Sequence, residues 1–214
     1  MVYFGSFNFS LCPPCDEMLP TSFSPVRGSS GEQYTGGVVS GSGRDATSER
    51  VEWEGRVTTV NWLAPPFRPE RCLTTQALGI CFTTDGRIVL VSSDGENWTL
   101  PGGPPEPGET LEMTLEREVR EEACARLVSC EYIGCQRVDD PDRRDGPSLY
   151  YQARFWARVE LYPFEASAET TDRRLVTPET FLDNLAWGEA AAARILLALG
   201  RRREQQLAQL ASQD

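Results

Sequence analysis

The sequence predicts an α/β or α+β sandwich, in which a few helices cover a sheet of β-strands. Short β-prone segments recur between residues 51 and 176, and turn-forming residues separate them. Two amphipathic segments with the helical repeat stand among them, one over residues 110–123 and one after Pro178. A hydrophobic content of 40% over 214 residues is enough to fill one core.

The N-terminal part of the chain differs in composition from the rest. Residues 21–48 are dense in Gly and Ser and show little apolar periodicity, which is typical of a flexible extension. We therefore expect three parts: an extension over residues 1–48, a folded domain over 49–199 and a polar tail over 200–214. The tail is expected to be either frayed or an exposed helix.

The β-prone segments are predicted to be strands. Residues 51–54 and 57–60 flank Gly55, which indicates a hairpin or a bulge. The Thr84-Asp85-Gly86 sequence indicates a tight turn between two further strands. The remaining predicted strands cover residues 73–82, 87–92, 127–137, 148–161 and, as a short strand, 173–176, with a polar loop over 139–147.

The segment after Pro178 is predicted to form one long helix, because proline is favoured in the first turn of a helix. Gly188 and Gly200 punctuate its pattern. Its apolar side carries Phe181, Leu182, Leu185, Ala186, Ala192, Ile195, Leu196 and Leu199.

Histidine and lysine are absent from the whole sequence, and all 21 basic residues are Arg. Catalytic triads that need His, Walker loops that need Lys, Schiff-base chemistry and zinc sites with imidazole ligands are therefore excluded. Carboxylate chemistry remains, with Arg available to orient anionic substrates.

The charge balance limits the partners. A net charge of −11 repels nucleic-acid backbones and anionic membranes, so we expect no stable binding to a nucleic-acid duplex and none to a membrane. The apolar runs are far shorter than a membrane span, and no basic region precedes the apolar N-terminal residues as in a signal peptide. We expect a cytoplasmic protein and leave open whether it forms a homodimer.

Seven cysteines are scattered along the chain, several of them in apolar stretches, which indicates reduced thiols. Cys12 and Cys15 have the spacing of a metal or redox motif. With no second pair of this kind and no histidine they form half of a zinc site at most, and we expect no chemical role for them.

The predicted helix over residues 110–123 combines an apolar stripe with clustered acids. The stripe recurs at every fourth position and consists of Leu111, Leu115, Val119 and Ala123. At about 100° per residue, Glu118, Glu121 and Glu122 share one side, and Glu122 falls within the phase of the stripe. An ordinary solvated acidic face is the alternative. Burial of an unpaired carboxylate costs several kcal/mol, and a bound divalent cation removes that penalty, so the phase favours a site for Mg²⁺ or Mn²⁺.

A loop rich in Gly and Pro precedes this helix, and the spacing of its residues and those of the helix resembles the Nudix box. The matching positions are Gly103, Glu109, Arg117, Glu118, Val119, Glu121 and Glu122. The box covers about a tenth of the chain, and the order of elements over residues 50–199 is compatible with a Nudix domain. Cys124 stands where the family has Gly, and Ala125 where it has a bulky aliphatic residue, so the path of the chain leaving the helix is in question.

The resemblance implies a Nudix-like α/β/α sandwich with a mixed sheet and metal-dependent hydrolysis of a nucleoside diphosphate linked to another group. It implies that Glu118 and Glu122 hold Mg²⁺ or Mn²⁺, with Glu121 close behind. Glu121 and Glu122 would also serve in catalysis, and Arg117 would orient the carboxylates by pairing. Glu109 would be a ligand, a base or a structural partner. Gly102 and Gly103 would shape the loop.

Many members of the family use an extra acid outside the box. Glu165 and Glu169 are the candidates here, and we favour Glu169, with an ordinary loop residue as the alternative. Pro141 lies about fifteen residues past the box, where a proline is associated in the family with ADP-ribose hydrolysis, although Asp-Pro-Asp is also an ordinary turn sequence.

The substrate-binding residues are not determined by the sequence. Trp98, Tyr132, Tyr150, Tyr151 and Trp156 could stack on a base, and Arg137, Arg143, Arg144 and Arg154 could clamp phosphates. The candidate substrates are ADP-ribose, a dinucleotide and a nucleoside triphosphate. Two other classes of function stay open: a Nudix-like module that binds a nucleotide without cleaving it, and an interaction protein built on residues 1–48.

Overall fold

The β-branched and aromatic segments of the sequence assemble into one sheet of eight strands. The structure is a computed structural model and describes residues 48–53 and 56–213. The strands are β1 (Ser48–Trp53), β2 (Arg56–Leu63), β3 (Thr74–Thr83), β4 (Ile88–Ser92), β5 (Gly102–Gly103), β6 (Ala125–Asp139), β7 (Leu149–Leu161) and β8 (Asp172–Val176). The helices are α1 (Leu111–Ala123), α2 (Phe181–Asn184) and α3 (Ala191–Ala211), and a 3₁₀ turn covers Arg71–Leu73.

The sheet is mixed, as the resemblance implies. Its order is β1-β2-β6-β7-β3-β4-β8, and β5 pairs with β3 beside this path. Strands β3 and β7 run parallel, whereas the other pairs are antiparallel. Strands β3 and β4 pair through Phe82 and Ile88, and the two glycines of β5 pair with Ala77 and Leu78 of β3.

Two apolar layers lie on opposite faces of the sheet and make the fold an α/β/α sandwich. On one face, Leu115, Val119 and Ala123 of α1 pack against residues such as Ala77 and Phe155. On the other face, α2 and α3 pack through Phe181, Ala193, Leu196 and Leu197 against Ile80, Phe82 and Trp156. Helices cover each face of the sheet. Successive side chains along a strand therefore point alternately into the two apolar cores.

The predicted strands and the predicted helix over residues 110–123 are confirmed, with ends shifted by a few residues. The segment over 102–103, predicted as loop, forms the short strand β5. The predicted extension lies outside the described residues except for Ser48, and so do Cys12, Cys15 and Gly55. The other five cysteines are free thiols, as expected of reduced residues. None of the helices among the described residues is long and apolar enough to cross a membrane.

The prediction of one long helix from Pro178 is wrong, because the segment forms α2 and then α3. The N–H of Ala186 donates to Trp98 O at 2.9 Å, so a partner from another part of the chain replaces the helical one. Gly188 passes so close to the backbone of Leu182 that a Cβ would lie 2.8 Å from its carbonyl carbon. These contacts turn the chain between the two helices.

Gly200 does not end α3, which continues to Ala211 and makes the tail a helix rather than a frayed segment. A Cβ at Gly200 would lie 2.9 Å from the Phe82 ring, so the glycine lets the helix approach β3 closely. Beyond it, Leu207 packs against the core, and Glu204 accepts from Trp156 Nε1 at 2.9 Å. The predicted boundary at residue 200 therefore falls inside α3.

The C-terminus of α1 departs from the family pattern at Cys124, which adopts a left-handed conformation with φ 45° and ψ 55°. The Arg173 side chain from β8 donates to Ala123 O at 2.7 Å and to Cys124 O at 3.2 Å. It also donates to Tyr162 O at 3.0 Å. A cation thus satisfies carbonyls at the negative end of the helix dipole, and the chain leaves the helix along a defined path.

We predict that Cys124→Gly increases the free energy of unfolding by about 0.5–1 kcal/mol, because a residue with a Cβ is strained in the left-handed region and Gly is not. Urea unfolding monitored by circular dichroism measures the change. Cys124→Val is the control and should destabilise, because a β-branched side chain fits this region worst. A less stable glycine variant would show that the contact of Cys124 Sγ with Glu165 O, at 3.4 Å, outweighs the strain.

Candidate active site

The carboxylate of Glu118 in helix α1 lies at the edge of the apolar layer between this helix and the sheet. Thr110 caps the helix and accepts the N–H of Met113 at 3.2 Å. Leu115, Val119 and Ala123 are fully buried, which places the predicted stripe against the sheet. Glu118 follows the same phase and is only 6% exposed. The helical period alone therefore brings this acid out of water.

The Arg117 guanidinium connects the loop with the helix. Its Nε donates to Glu109 Oε1 at 2.8 Å, and its Nη1 donates to Glu118 Oε1 at 2.8 Å. Its Nη2 donates to Pro104 O at 3.0 Å. Glu121 Oε2 lies 3.4 Å from Nη1 at the exposed side of the cluster. The hydrogen bonds that Arg117 donates to Glu109 raise the pKa of Arg117, so the guanidinium stays charged.

Glu109 is fully engaged inside the loop. Besides Arg117, its carboxylate accepts the N–H of Glu106 at 2.9 Å and the hydroxyl of Thr114 at 2.8 Å. The hydrogen bond from Arg117 lowers the pKa of Glu109 to about 2, and the other two donors contribute. These contacts are those of a structural partner, among the three roles expected for this residue.

Glu122 lies beside the glycine loop, and no guanidinium among the described residues lies within ion-pair distance of its carboxylate. Its Oε2 accepts the N–H of Gly102 at 2.8 Å. Burial, together with the neighbouring charges of Glu118 and Glu169, raises the pKa of Glu122 to about 8, against the Gly102 hydrogen bond and the charge of Arg117. Burial also raises the pKa of Glu118, although Arg117 opposes the shift. Two desolvated carboxylates thus repel one another at one place.

Gly102 and Gly103 are required by this close approach. Gly102 has φ +149°, and a Cβ there would lie 2.5 Å from Leu78 Cα. A Cβ on Gly103 would lie 2.6 Å from the Glu118 carboxyl carbon. A side chain at 103 would therefore displace the buried acid.

The remaining predicted acids lie at different distances from this pair. Glu121 is 47% exposed in its side chain and also pairs with Arg120 at 3.2 Å. Glu169 lies near enough for its charge to raise the pKa of both Glu118 and Glu122. Glu165 contacts Cys124 through its backbone. The structure therefore brings Glu169, rather than Glu165, toward the buried pair.

Carboxylate oxygens are the donors that Mg²⁺ and Mn²⁺ prefer, so the chemistry of the cluster fits such an ion. In the part of the chain that is described, no three acidic or cysteine side chains are grouped so that they hold a metal as they stand. Arg117 draws Glu121 and one oxygen of Glu118 toward itself. Two open surface cavities, of about 330 and 450 Å³, lie away from these acids, at Glu204 and at Asp140.

Two functional contacts had no signal in the sequence pattern. Arg173 reaches α1 from β8, about 50 residues along the chain. Arg71 donates to Glu106 O at 2.9 Å and to Glu109 O at 3.1 Å, and so holds the loop before α1. Both are arginines in otherwise ordinary surroundings, and only the tertiary structure shows what they bind.

Comparison with known proteins agrees with this geometry. The family model of the NUDIX domain matches residues 73–199, more than half of the chain. The crystal structure of the Bacillus subtilis pyrophosphohydrolase BsRppH is similar with a TM-score of 0.53 and 22% identity, over 70% of this chain and 94% of that chain. A NUDIX hydrolase structure from Listeria monocytogenes is similar with a TM-score of 0.50 and 19% identity, over 62% of this chain and 95% of that chain.

At these identities the two structures support the fold. Comparison with curated proteins gave no significant match. The match of the family model over residues 73–199 is decisive: the chain belongs to the NUDIX family.

Proposed function

We propose that the protein is a metal-dependent pyrophosphohydrolase that cleaves a nucleoside diphosphate linked to another group. The observation that carries this proposal is the desolvated pair of Glu118 and Glu122 beside the glycine loop, with raised pKa values and, in the described part of the chain, no guanidinium within ion-pair distance of Glu122. Such an arrangement is unfavourable for the protein alone and becomes favourable when a divalent cation binds. Structural ion pairs also shift pKa values, but in such a pair the carboxylate contacts a guanidinium. Among the described residues, Glu122 has no such contact.

Glu118 and Glu122 would hold the cation, and Glu121 would join them by turning away from Arg117. When bound, Mg²⁺ or Mn²⁺ would offset the charge of phosphate oxygens and favour deprotonation of water. The carboxylate of Glu169 would accept that proton, because it lies near enough for its charge to raise the pKa of both Glu118 and Glu122. Arg117 and Glu109 would hold the loop and the helix in register. The N–H of Gly102 keeps Glu122 oriented.

The substrate is proposed to be ADP-ribose, a dinucleotide or a nucleoside triphosphate, and these compounds form the test panel. We propose a cytoplasmic protein with a small nucleotide as its ligand and no duplex or membrane partner, in keeping with the net charge of −11. An extension over residues 1–48 and a folded domain that begins at residue 49 stay proposals, with residues 200–211 continuing α3 of that domain. Dimerisation is a question for solution measurements.

A nucleotide-binding module without turnover is the alternative. The observation in its favour is that Arg117 occupies Glu118 and Glu121, so that no ready metal cage is formed among the described residues. The panel assay decides between the two: products released in Mg²⁺ or Mn²⁺ support the enzyme, and nucleotide binding without products supports the module.

We predict that Glu122→Gln and Glu118→Gln each lower kcat/KM on the best panel substrate by about a hundredfold or more, because a metal supplies several kcal/mol of charge stabilisation. Product release is measured by chromatography. Glu116→Gln is the matched control, since Glu116 is exposed on the same helix and should keep wild-type activity. Full activity in both buried-site variants would refute the proposed metal site.

We predict that Glu169→Gln lowers kcat by about 10²- to 10⁴-fold, as loss of a general base does, while Glu165→Gln stays near wild type. The two substitutions remove the same charge from one loop, so the second controls for net charge. Steady-state kinetics at saturating Mg²⁺ measures both. Equal activities of the two variants would remove Glu169 from the mechanism.

We predict that the metal-free protein becomes less stable as pH rises from about 4.5 toward 8. The folded protein keeps Glu122 protonated up to its raised pKa of about 8, whereas the unfolded chain loses that proton near the ordinary pKa of a glutamate, 4.5. The stability from the neutral acid is thus present below the unfolded pKa and lost as pH rises through the folded one. Thermal unfolding in EDTA measures this slope, which Glu122→Gln should flatten.

Addition of Mg²⁺ should raise the midpoint of thermal unfolding most at the alkaline end of this range, where the carboxylates are charged. A metal effect of equal size at every pH, or equal in wild type and Glu122→Gln, would contradict the assignment of Glu122.

A further inference from the structure

Arg154 is a buried cation for which the proposed chemistry has no use. It lies in β7, is 4% exposed, and has no carboxylate within ion-pair distance among the described residues. Burial lowers its pKa to about 9. Burial of an unpaired guanidinium costs free energy, and a bound anion would offset that cost.

Part of the guanidinium is left without acceptors. Its Nη1 donates to Gln76 Oε1 and to Ala153 O, both at 3.2 Å, and its Nη2 donates to Gln152 Oε1 at 2.7 Å. These are neutral acceptors, and they use three of the five N–H groups of an Arg side chain. The buried Nε has no partner. Because Nε and Nη2 lie on one edge of the guanidinium plane, the free donors suit an anion that accepts two hydrogen bonds.

A second buried polar atom close by also lacks a partner. Gln136 pairs directly with Gln152 across β6 and β7, is 8% exposed, and has no donor to its Oε1. A ligand with a hydroxyl beside its anionic group would satisfy both Gln136 and Arg154. Gln76 and Gln152 are only partly buried, so this group of four side chains reaches the surface.

The register connects these side chains with the α1 carboxylates. Leu78 of β3 pairs with Arg154 on one side and with Gly102 on the other. Leu78 and Trp156 pack on the α2 and α3 face, so Arg154 belongs to that face as well. Two strand spacings, about 10 Å, separate the backbone of Arg154 from that of Gly102, whose N–H holds Glu122. The two places lie on opposite faces of the sheet, so a single substrate would reach both only by passing the short strand β5.

We propose that Arg154, with Gln76, Gln136 and Gln152, binds a sugar phosphate group of the substrate at a distance from the bond that is cleaved. This inference rests on the proposed function for the identity of the ligand as a substrate, although the binding itself does not need the metal. It makes Arg154 a specificity-determining residue, favouring substrates with a second anionic group beside a hydroxyl.

Calorimetric titration of the full chain with ribose 5-phosphate, in EDTA and at low salt, tests the binding. We expect wild type to bind and Arg154→Met to bind about tenfold to a hundredfold more weakly, as for loss of a charged hydrogen bond. Arg202→Met removes the same charge from an exposed position of α3 and should bind as wild type does. Equal binding by Arg154→Met, no binding by wild type, or equal binding of ribose without phosphate overturns the inference.

Stability separates a binding role from a structural one. Replacing an unpaired buried charge by an apolar side chain of similar length should leave the urea midpoint unchanged or raise it. A large fall of the midpoint in Arg154→Met would show that Arg154 is there for the fold, and would overturn the inference. Arg154→Lys keeps a charge without the two-pronged edge, and should fold and bind about tenfold more weakly than wild type.

The two proposals fail independently. Glu122→Gln should lose turnover in Mg²⁺ yet bind ribose 5-phosphate in EDTA as wild type does. Turnover by wild type with no binding of the probe contradicts only the role of Arg154. Probe binding that depends on Arg154, with no turnover of any panel substrate, contradicts only the hydrolase mechanism.

Discussion

The ion pairs of Arg117 are the interaction on which the site depends. One guanidinium binds an acid of the loop, Glu109, an acid of the helix, Glu118, and the loop carbonyl of Pro104. It adds to two further hydrogen bonds between the loop and the helix, from Thr114 to Glu109 and from Gly102 to Glu122. The buried position of Glu118 next to Gly103 is tolerable because this cation is adjacent, whereas Arg117 acts on Glu122 only from a distance, and burial raises the pKa of Glu122.

The local part of this arrangement could be predicted from the sequence. The four-residue repeat of α1 gave its buried side, and the same phase put Glu118 and Glu122 near the sheet. The strands followed from their composition. The helix after Pro178 could not be predicted in the same way, because the break at Ala186 depends on a hydrogen bond to Trp98, which is distant in sequence. Propensity describes a segment by itself, and tertiary partners override it.

The same limit explains the candidate site. The sequence favours Glu169 over Glu165 without a motif that separates them, and in the fold it is the charge of Glu169 that raises the pKa of Glu122. Among the arginines considered as phosphate clamps, Arg154 is fully buried whereas Arg144 is exposed, and no motif separates them. Because every basic residue of this chain is Arg, the composition does not distinguish a buried guanidinium from an exposed one. Burial and the partners of each guanidinium reveal the difference.

Arg173 has a consequence for how this chain tolerates change. Its side chain binds the carbonyls of Ala123, Cys124 and Tyr162, and it lies four residues after Glu169. The helix end, the following strand and the segment with the extra acid are therefore tied to one another by a single residue. Substitutions at position 124 are tolerated more easily, because Arg173 donates to the backbone carbonyls there whichever side chain is present. A substitution at position 173 would remove all these hydrogen bonds, and would release the end of α1 from the segment that carries Glu169.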